Sequence, residues 1–270
     1  MMDVSIWWLT YLALGLFVGF VAGLLGIGGG TVMVPVLAMI FTAQGFSQDH
    51  VLHLALGTSM ATIIFTAISS ARSHHLHGAV IWPVVRDITP GILLGTLLGT
   101  LVASRVSTRG MAIFFTVFVV LIALQMLANI KPKPSRGLPG RLGTSSVGLG
   151  IGMVSALVAI GGGALTVPFL TWCNVRVQDA IGTSAAVGFP IAVGGTVGYI
   201  WNGLHANSLP AASVGFIYLP ALLFVMAASV TTAPLGARLA HRLPVATLKR
   251  IFAGVLILLS AKMLAGVWQG

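Results

Sequence analysis

The sequence predicts an all-α integral membrane protein made of two inverted-topology repeats, each of about five helical segments, with GGG-broken hairpin helices near the bilayer midplane. Three observations predict it. Only 14 Lys+Arg and 4 Asp+Glu stand among 270 residues, 7% charged, where a soluble domain carries roughly 25%. Residues 19–37 (GFVAGLLGIGGGTVMVPVL) and 152–170 (GMVSALVAIGGGALTVPFL) agree without gaps at ten of nineteen positions. The basic residues form short clusters between long apolar runs, a pattern that encodes membrane topology.

The composition excludes whole classes of function. Apolar residues make up 57% of the chain and mean hydropathy is +1.04, so there is no polar coat for a soluble enzyme, a nucleic-acid binder or a disordered chain. The net charge of +10 is read as topology, not as a nucleic-acid footprint. Cys173 is the single cysteine, which rules out an intrachain disulfide and a Cys-rich metal site. The start, Met1 to Tyr11, has Asp3 but no Lys or Arg, so no cleavable signal peptide is expected.

The first repeat divides into apolar segments at about 6–27, 31–43, 51–71, 80–103 and 111–130. The second divides at about 145–160, 164–173, 177–200, 212–237 and 247–267. Domains follow as residues 1–130, a cytoplasmic linker at 131–144 containing KPKPSRGLPGR, and residues 145–270. A second matched pair supports the duplication: LGTSMAT at 56–62 and IGTSAAV at 181–187. The second segment of each half is too short to span a ~30 Å hydrocarbon core at ~1.5 Å per residue. Each GGG is therefore either a break within one span or the apex of a hairpin.

The positive charges decide between these. With hairpin apices, one face receives Arg72, Arg86, Lys131, Lys133, Arg136, Arg141, Arg176, Arg238, Arg242, Lys249 and Arg250, and the other only Arg105, Arg109 and Lys262. A single broken span erases that bias. The hairpin reading places both termini outside and, with five segments per half, inverts one half against the other. Inverted repeats with Gly-interrupted segments at matching places mark transporters. A membrane-embedded scaffold or assembly factor is the alternative.

Three glycines in a row disfavour helix by roughly 1 kcal/mol each, so Gly28–Gly30 and Gly161–Gly163 are expected to be breaks. Such a break is tolerated at membrane depth only when buried in protein or facing a watered cavity. The helices restarting at Thr31 and Ala164 then aim free N–H groups and positive dipole ends into the centre, an anion site without a charged side chain. Close helix packing is the competing explanation. In the GTS pair, Gly57-Thr58-Ser59 and Gly182-Thr183-Ser184, the hydroxyls can donate to an oxyanion or bond back to helical carbonyls. The candidate substrate-binding residues are thus Gly28, Gly29, Gly30, Thr31, Gly57, Thr58, Ser59, Gly161, Gly162, Gly163, Gly182, Thr183 and Ser184. Pro35 and Pro168 are given a structural role as kinks.

His74, His75 and His77 form HHLHG, where the second half reads YIWNG. They lack acidic or Cys partners, so no metal is expected and they are read as interfacial. Arg105, in a loop, is expected to matter little. No Ser–His–Asp set or HExxH pattern appears, so no enzyme machinery is expected, and neither is a cofactor.

Two copies of G-x₈-GGG-x₄-VP-x-L, each followed by GTS, resemble the TauE/SafE family of sulfite and organosulfonate exporters over about residues 12–267. The resemblance implies a multi-pass permease of a bacterial-type plasma (inner) membrane, whose partners are a small anionic substrate and the lipid bilayer. The family's glycine-rich and GTS positions fall on the residues named above. His74, four residues before Gly78, matches a histidine common in the family and becomes a candidate gating or cytoplasmic-end residue. The second copy departs at Val158-Ala159, where the first has Leu25-Gly26.

Overall fold

A computed structural model describes residues 4–25, 29–128, 137–240 and 245–269. The described residues fold into ten helices and one minimal β-hairpin. In order they are α1 (Val4–Leu25), α2 (Gly30–Ala43), α3 (Val51–Leu76), α4 (Trp82–Ala103), α5 (Thr108–Leu127), α6 (Arg141–Val158), α7 (Gly163–Trp172), α8 (Val177–Gly203), β1 (Ser213–Val214), β2 (Ile217–Tyr218), α9 (Leu219–Ala240) and α10 (Val245–Gln269). Among the described residues seven helices, α1, α3, α4, α5, α6, α8 and α9, are long and apolar enough to cross a membrane. The chain is an all-α, multi-pass membrane protein.

Each expected segment corresponds to one helix, with three adjustments. α6 begins at Arg141, so residues 141–144 are its first turn and not part of a linker. The segment expected from 212 becomes helical only at Leu219. Ahead of it Ala212 and Gly215 take positive φ values of 66° and 54°, and the chain turns through a hairpin that pairs Ser213 with Tyr218 and Val214 with Ile217. α3 runs on to Leu76, which places His74 and His75 within a helix.

The α1–α2 connection doubles back. Tyr11 Oη donates to Gln44 Oε1 over 3.0 Å, although 33 residues separate them. A continuous span would hold them on the order of 50 Å apart at ~1.5 Å per residue. The ends of α1 and α2 away from the glycine break therefore lie side by side.

Helix pairings exchange between the halves: α1 lies on α9 and α4 on α6, α3 packs on α9 and α8 on α4, and α3 meets α8 as α5 meets α10. The centre is α3 and α8, with 83% and 78% of their spans buried, against 28% for α5 at the periphery. Outward positions carry Leu9, Leu94, Leu121, Leu223 and Leu258, a belt suited to lipid rather than water.

Glycine stripes set the closest contacts. A Cβ at Gly15, Gly19 or Gly23 of α1 would collide with the carbonyls of Val225, Ser229 and Ala233 on α9. One at Gly91, Gly95 or Gly99 of α4 would meet those of Ser145, Leu149 and Met153 on α6, and Gly148 and Gly152 answer against Ile88 and Ile92. Where lipid removes the hydrophobic drive between helices, such small-residue stripes let backbones approach and gain dispersion and Cα–H···O contacts.

Two glycines on α6 make a controlled comparison. A Cβ at Gly150 meets nothing within 4 Å, whereas one at Gly152 strikes the Ile92 carbonyl. Gly150→Ala should leave thermal stability in detergent unchanged or raise it by up to about 1 kcal/mol. Gly152→Ala should lower it by on the order of 1–3 kcal/mol through overpacking.

Candidate functional site

The two glycine breaks meet. Gly29 and Gly162, which precede α2 and α7, adopt left-handed backbone at φ 74° and 86°, a conformation that glycine takes without a Cβ penalty. A Cβ at Gly30 would collide with the Ala159 carbonyl at the end of α6, and would touch Ile63 at 3.1 Å. Ile63 is at the middle of α3. In the second half a Cβ at Gly188 would come within 2.8 Å of the Gly161 carbonyl, near the middle of α8. Both breaks therefore adjoin one another at the midpoints of the two central helices. Gly28 lies outside the described residues.

The first N–H groups of α2 and α7, from Gly30, Thr31, Gly163 and Ala164, have no carbonyl four residues back within their helices. Backbone bonding begins one turn in, where Val32 and Met33 donate to the Gly29 carbonyl and Leu165 and Thr166 to that of Gly162. Beside them lie hydroxyls without a partner among the described residues. Thr31 Oγ1, Ser59 Oγ and Thr166 Oγ1 are each fully buried and unbonded. Buried titratable side chains are confined to His53, His74, Cys173 and the tyrosines Tyr11 and Tyr199 among the described residues; no Lys, Arg, Asp or Glu is buried there. No described group of His, Cys, Asp or Glu could hold a metal ion. The cavity beside Gly161, lined by Ala22, Thr66, Ala67, Ser70, Ala185 and Gly188, holds about 10 Å³, room for one water.

Ala159, the residue that departs from the first repeat, ends α6 in the left-handed region at φ 47°, ψ 45°. Its repeat counterpart is Gly26. The second break thus imposes on an alanine a conformation that L-residues disfavour, and its carbonyl is the one that Gly30 approaches.

The GTS threonines form latches between the halves. Thr58 Oγ1 accepts from the backbone N–H of Tyr218, and Thr183 Oγ1 accepts from that of Ile81, both at 3.0 Å. Tyr218 immediately precedes α9 and Ile81 immediately precedes α4. Each motif therefore holds the start of the other half's fourth helix. The glycines permit the approach: a Cβ at Gly57 would strike the Phe216 carbonyl, and one at Gly182 that of Ala79. Ser184 Oγ donates to the Ile181 carbonyl, whereas Ser59 lies one turn from Ile63 and faces the interior. Burial raises the Tyr218 phenol above its usual pKa, so the latch segment is uncharged.

The three histidines separate. His75 and His77 are exposed, but His74 is completely buried, which corrects the interfacial reading for that residue. Its Nε2 donates to the Gly23 carbonyl over 3.2 Å, in the last turn of α1. The second half repeats this geometry with a different side chain: Tyr199 Oη donates to the Ala156 carbonyl over 2.9 Å. Tyr199 opens the YIWNG that aligns with HHLHG, and Ala156 aligns with Gly23. Each helix that ends at a break would leave its last carbonyls unsatisfied, and each receives a donor from the third helix of its own half. Letter-by-letter comparison of the repeats misses this pair, because His and Tyr share only a donor.

With this geometry in place, comparison with known proteins gives a consistent result. The family model described as sulfite exporter TauE/SafE matches residues 11–263. A probable membrane transporter protein of Haemophilus influenzae is 39% identical, covering 94% of this chain and 97% of that protein. The probable membrane transporter protein YunE of Bacillus subtilis is 28% identical over 93% and 95% of the two chains. MJ0441 of Methanocaldococcus jannaschii, also described as a probable membrane transporter protein, is 24% identical over 95% and 96%. No solved structure matches.

The paired donors make a sharp prediction for His74. His74→Phe fills the space but strands the Gly23 carbonyl, and should cost on the order of 1–3 kcal/mol in thermal unfolding. His74→Tyr, which copies the second half, should recover most of that loss. Equal damage from both would remove the capping role.

Proposed function

The chain belongs to the sulfite exporter TauE/SafE family, and from that premise we propose that it moves small sulfur-containing anions, such as sulfite or organosulfonates, across a bacterial-type plasma membrane. As a membrane transporter it translocates its cargo and is not an enzyme. In this reading the cargo is held between the two restarted helices, by N–H groups of the GGG breaks and by the hydroxyls of Thr31 and Ser59. The observation that supports the reading is the approach of Gly30 to the Ala159 carbonyl, which brings the glycine break ahead of α2 beside the one ahead of α7.

An anion at membrane depth needs compensation, and the buried inventory offers dipoles and hydroxyls in place of Lys or Arg. Each helix N-terminus contributes roughly half a positive charge. A site of this kind binds without a salt bridge, so release is not opposed by an unpaired buried cation. Gly57, Thr58, Gly182 and Thr183 border the site, and their latches hold the fourth helices in register while α3 and α8 separate to admit the anion. His74 acts by fixing the end of α1, not by touching cargo.

The proposed topology is inverted, with both termini outside and the linker cytoplasmic. Charged segments assigned to one face do meet. Arg141 at the start of α6 and Arg86 in α4 both approach Asp87, at 3.8 and 3.3 Å. On the opposite face the Thr108 hydroxyl donates to the Asp49 carbonyl. A reporter fused after Gly270 should score outside the cytoplasm, and a cytoplasmic score would discard this topology.

Thr31→Val tests the site directly. Removing a buried, unbonded hydroxyl should leave the melting temperature unchanged or raise it, while counterflow of labelled sulfite or a sulfonate in vesicles falls at least several-fold. Gly29→Leu and Gly162→Leu should abolish flux, though their positive φ also strains any side chain placed there. Full counterflow in Thr31→Val together with both leucine variants, or a cation as cargo, would falsify the central anion site.

A further inference from the structure

A cavity lined by cationic side chains lies at one end of the molecule. It measures about 610 Å³ and opens between the segment before α3, the α4–α5 turn and the loop that carries Phe216. Into it face His50, His53, Arg105 and Arg109, with Asp49 as the one carboxylate of its lining. Arg86 and Arg141 approach Asp87 and Arg176 pairs with Asp179, whereas Arg72 and Arg238 have no acidic partner among the described residues. Arg105 and Arg109 have no such pair among the described residues.

The backbone adds to the same imbalance. α3, of 26 residues, and α5, of 20, both begin at this cavity, and neither carries an acidic residue in its first turn. Arg109 sits in the first turn of α5, where the helix dipole disfavours a cation. His53 is 5% exposed, and its Nε2 donates to the Ala103 carbonyl over 3.0 Å. Its Nδ1 is buried behind the cavity wall and makes no hydrogen bond of its own. An imidazole nitrogen can accept from the hydroxyl of a protonated oxyanion, and a small rotation of the ring would bring this one to the cavity.

Arg105 has a repeat counterpart in Arg242, but the two histidines are not a requirement of the repeat. At the positions of His50 and His53 the second half has Val175 and Gln178. The rings of His50 and His53 lie 5.5 and 5.2 Å from that of Phe216, whose carbonyl abuts Gly57 one turn farther along α3. The cavity wall is therefore continuous with the first GTS latch.

We propose that this cavity is a vestibular site for a small oxyanion, which concentrates it at one mouth of the protein through Arg105, Arg109 and His53. The identity of the anion as a sulfur oxyanion rests on the transport reading above; the existence of the site does not. It gives Arg105 a role where the sequence suggested none. Such a cluster raises local anion concentration and capture rate, and salt screens the effect.

The test uses the full-length protein and sulfite as probe. Arg105→Gln/Arg109→Gln should raise the KM for sulfite counterflow roughly tenfold at low ionic strength, with kcat unchanged. Arg105→Lys/Arg109→Lys should restore most of the loss, and high salt should bring wild type and the Gln variant together. Binding of labelled sulfite to purified protein is measured on the same variants, so the vestibule is judged even where no flux occurs. Loss of salt-sensitive binding in the Gln variant, with recovery in the Lys variant and unchanged melting, supports the site. An unchanged KM with unchanged binding in the Gln variant overturns it. Thr31→Val separates the two sites: loss of flux there with vestibular binding intact isolates a failure of either reading from the other.

Discussion

Unsatisfied backbone groups are the constraint around which this molecule is organised. A helix that stops inside a bilayer exposes carbonyls at its end and N–H groups where the next begins, and lipid can bond neither. The chain stops twice in this way, after α1 and after α6. It answers the carbonyl side with a dedicated donor in each half, His74 to Gly23 and Tyr199 to Ala156. The N–H side is left without a side-chain cap at both breaks. This asymmetry shapes the chemistry of the centre: one carbonyl of each interrupted helix has a side-chain donor, whereas the restarting N–H groups have no side-chain acceptor. The proposed preference for an anion follows from that difference, without a charged residue.

Close approach is the second theme. Glycine serves three separate ends here. It forms the left-handed breaks at Gly29 and Gly162, admits neighbouring carbonyls at Gly57 and Gly182, and lines the interfaces of α1 with α9 and of α4 with α6. The threonine of each GTS then secures a backbone N–H from the opposite half. A motif that looks like a ligand site on sequence is, in its threonine, a clasp between halves, and its serine in the first half is what remains turned to the interior.

Much of this was legible beforehand. Hydropathy and the GGG runs punctuate the chain strongly enough to locate most of the described helices to within a few residues, although α9 starts seven residues later than expected. The charge bias pointed to a doubled-back first pair, and the Tyr11–Gln44 bond agrees with it. Other features were hidden for physical reasons. The four-residue spacing of Gly15, Gly19 and Gly23 is visible in sequence, but its partner lies some 210 residues away, beyond any local pattern. The histidine cluster yielded one buried member because helix α3 runs farther than its apolar stretch suggests. The cavity around Arg105 draws on three separate segments, none of which carries a recognisable motif alone.

The exchange of partners between the halves also dictates an order of assembly. α1 leaves the ribosome well before α9, yet the carbonyls that its glycine face covers belong to α9, about two hundred residues later. The glycine face of α4 waits only for α6. α1 is thus among the last of these helices to find its native neighbour, and until then a glycine-lined groove must rest against lipid or the insertion machinery. Long-range pairing of this kind slows folding and lengthens the exposure of unfinished surfaces. Damage to α9 should therefore be felt first as failed biogenesis of the whole chain, with α1 the helix left stranded.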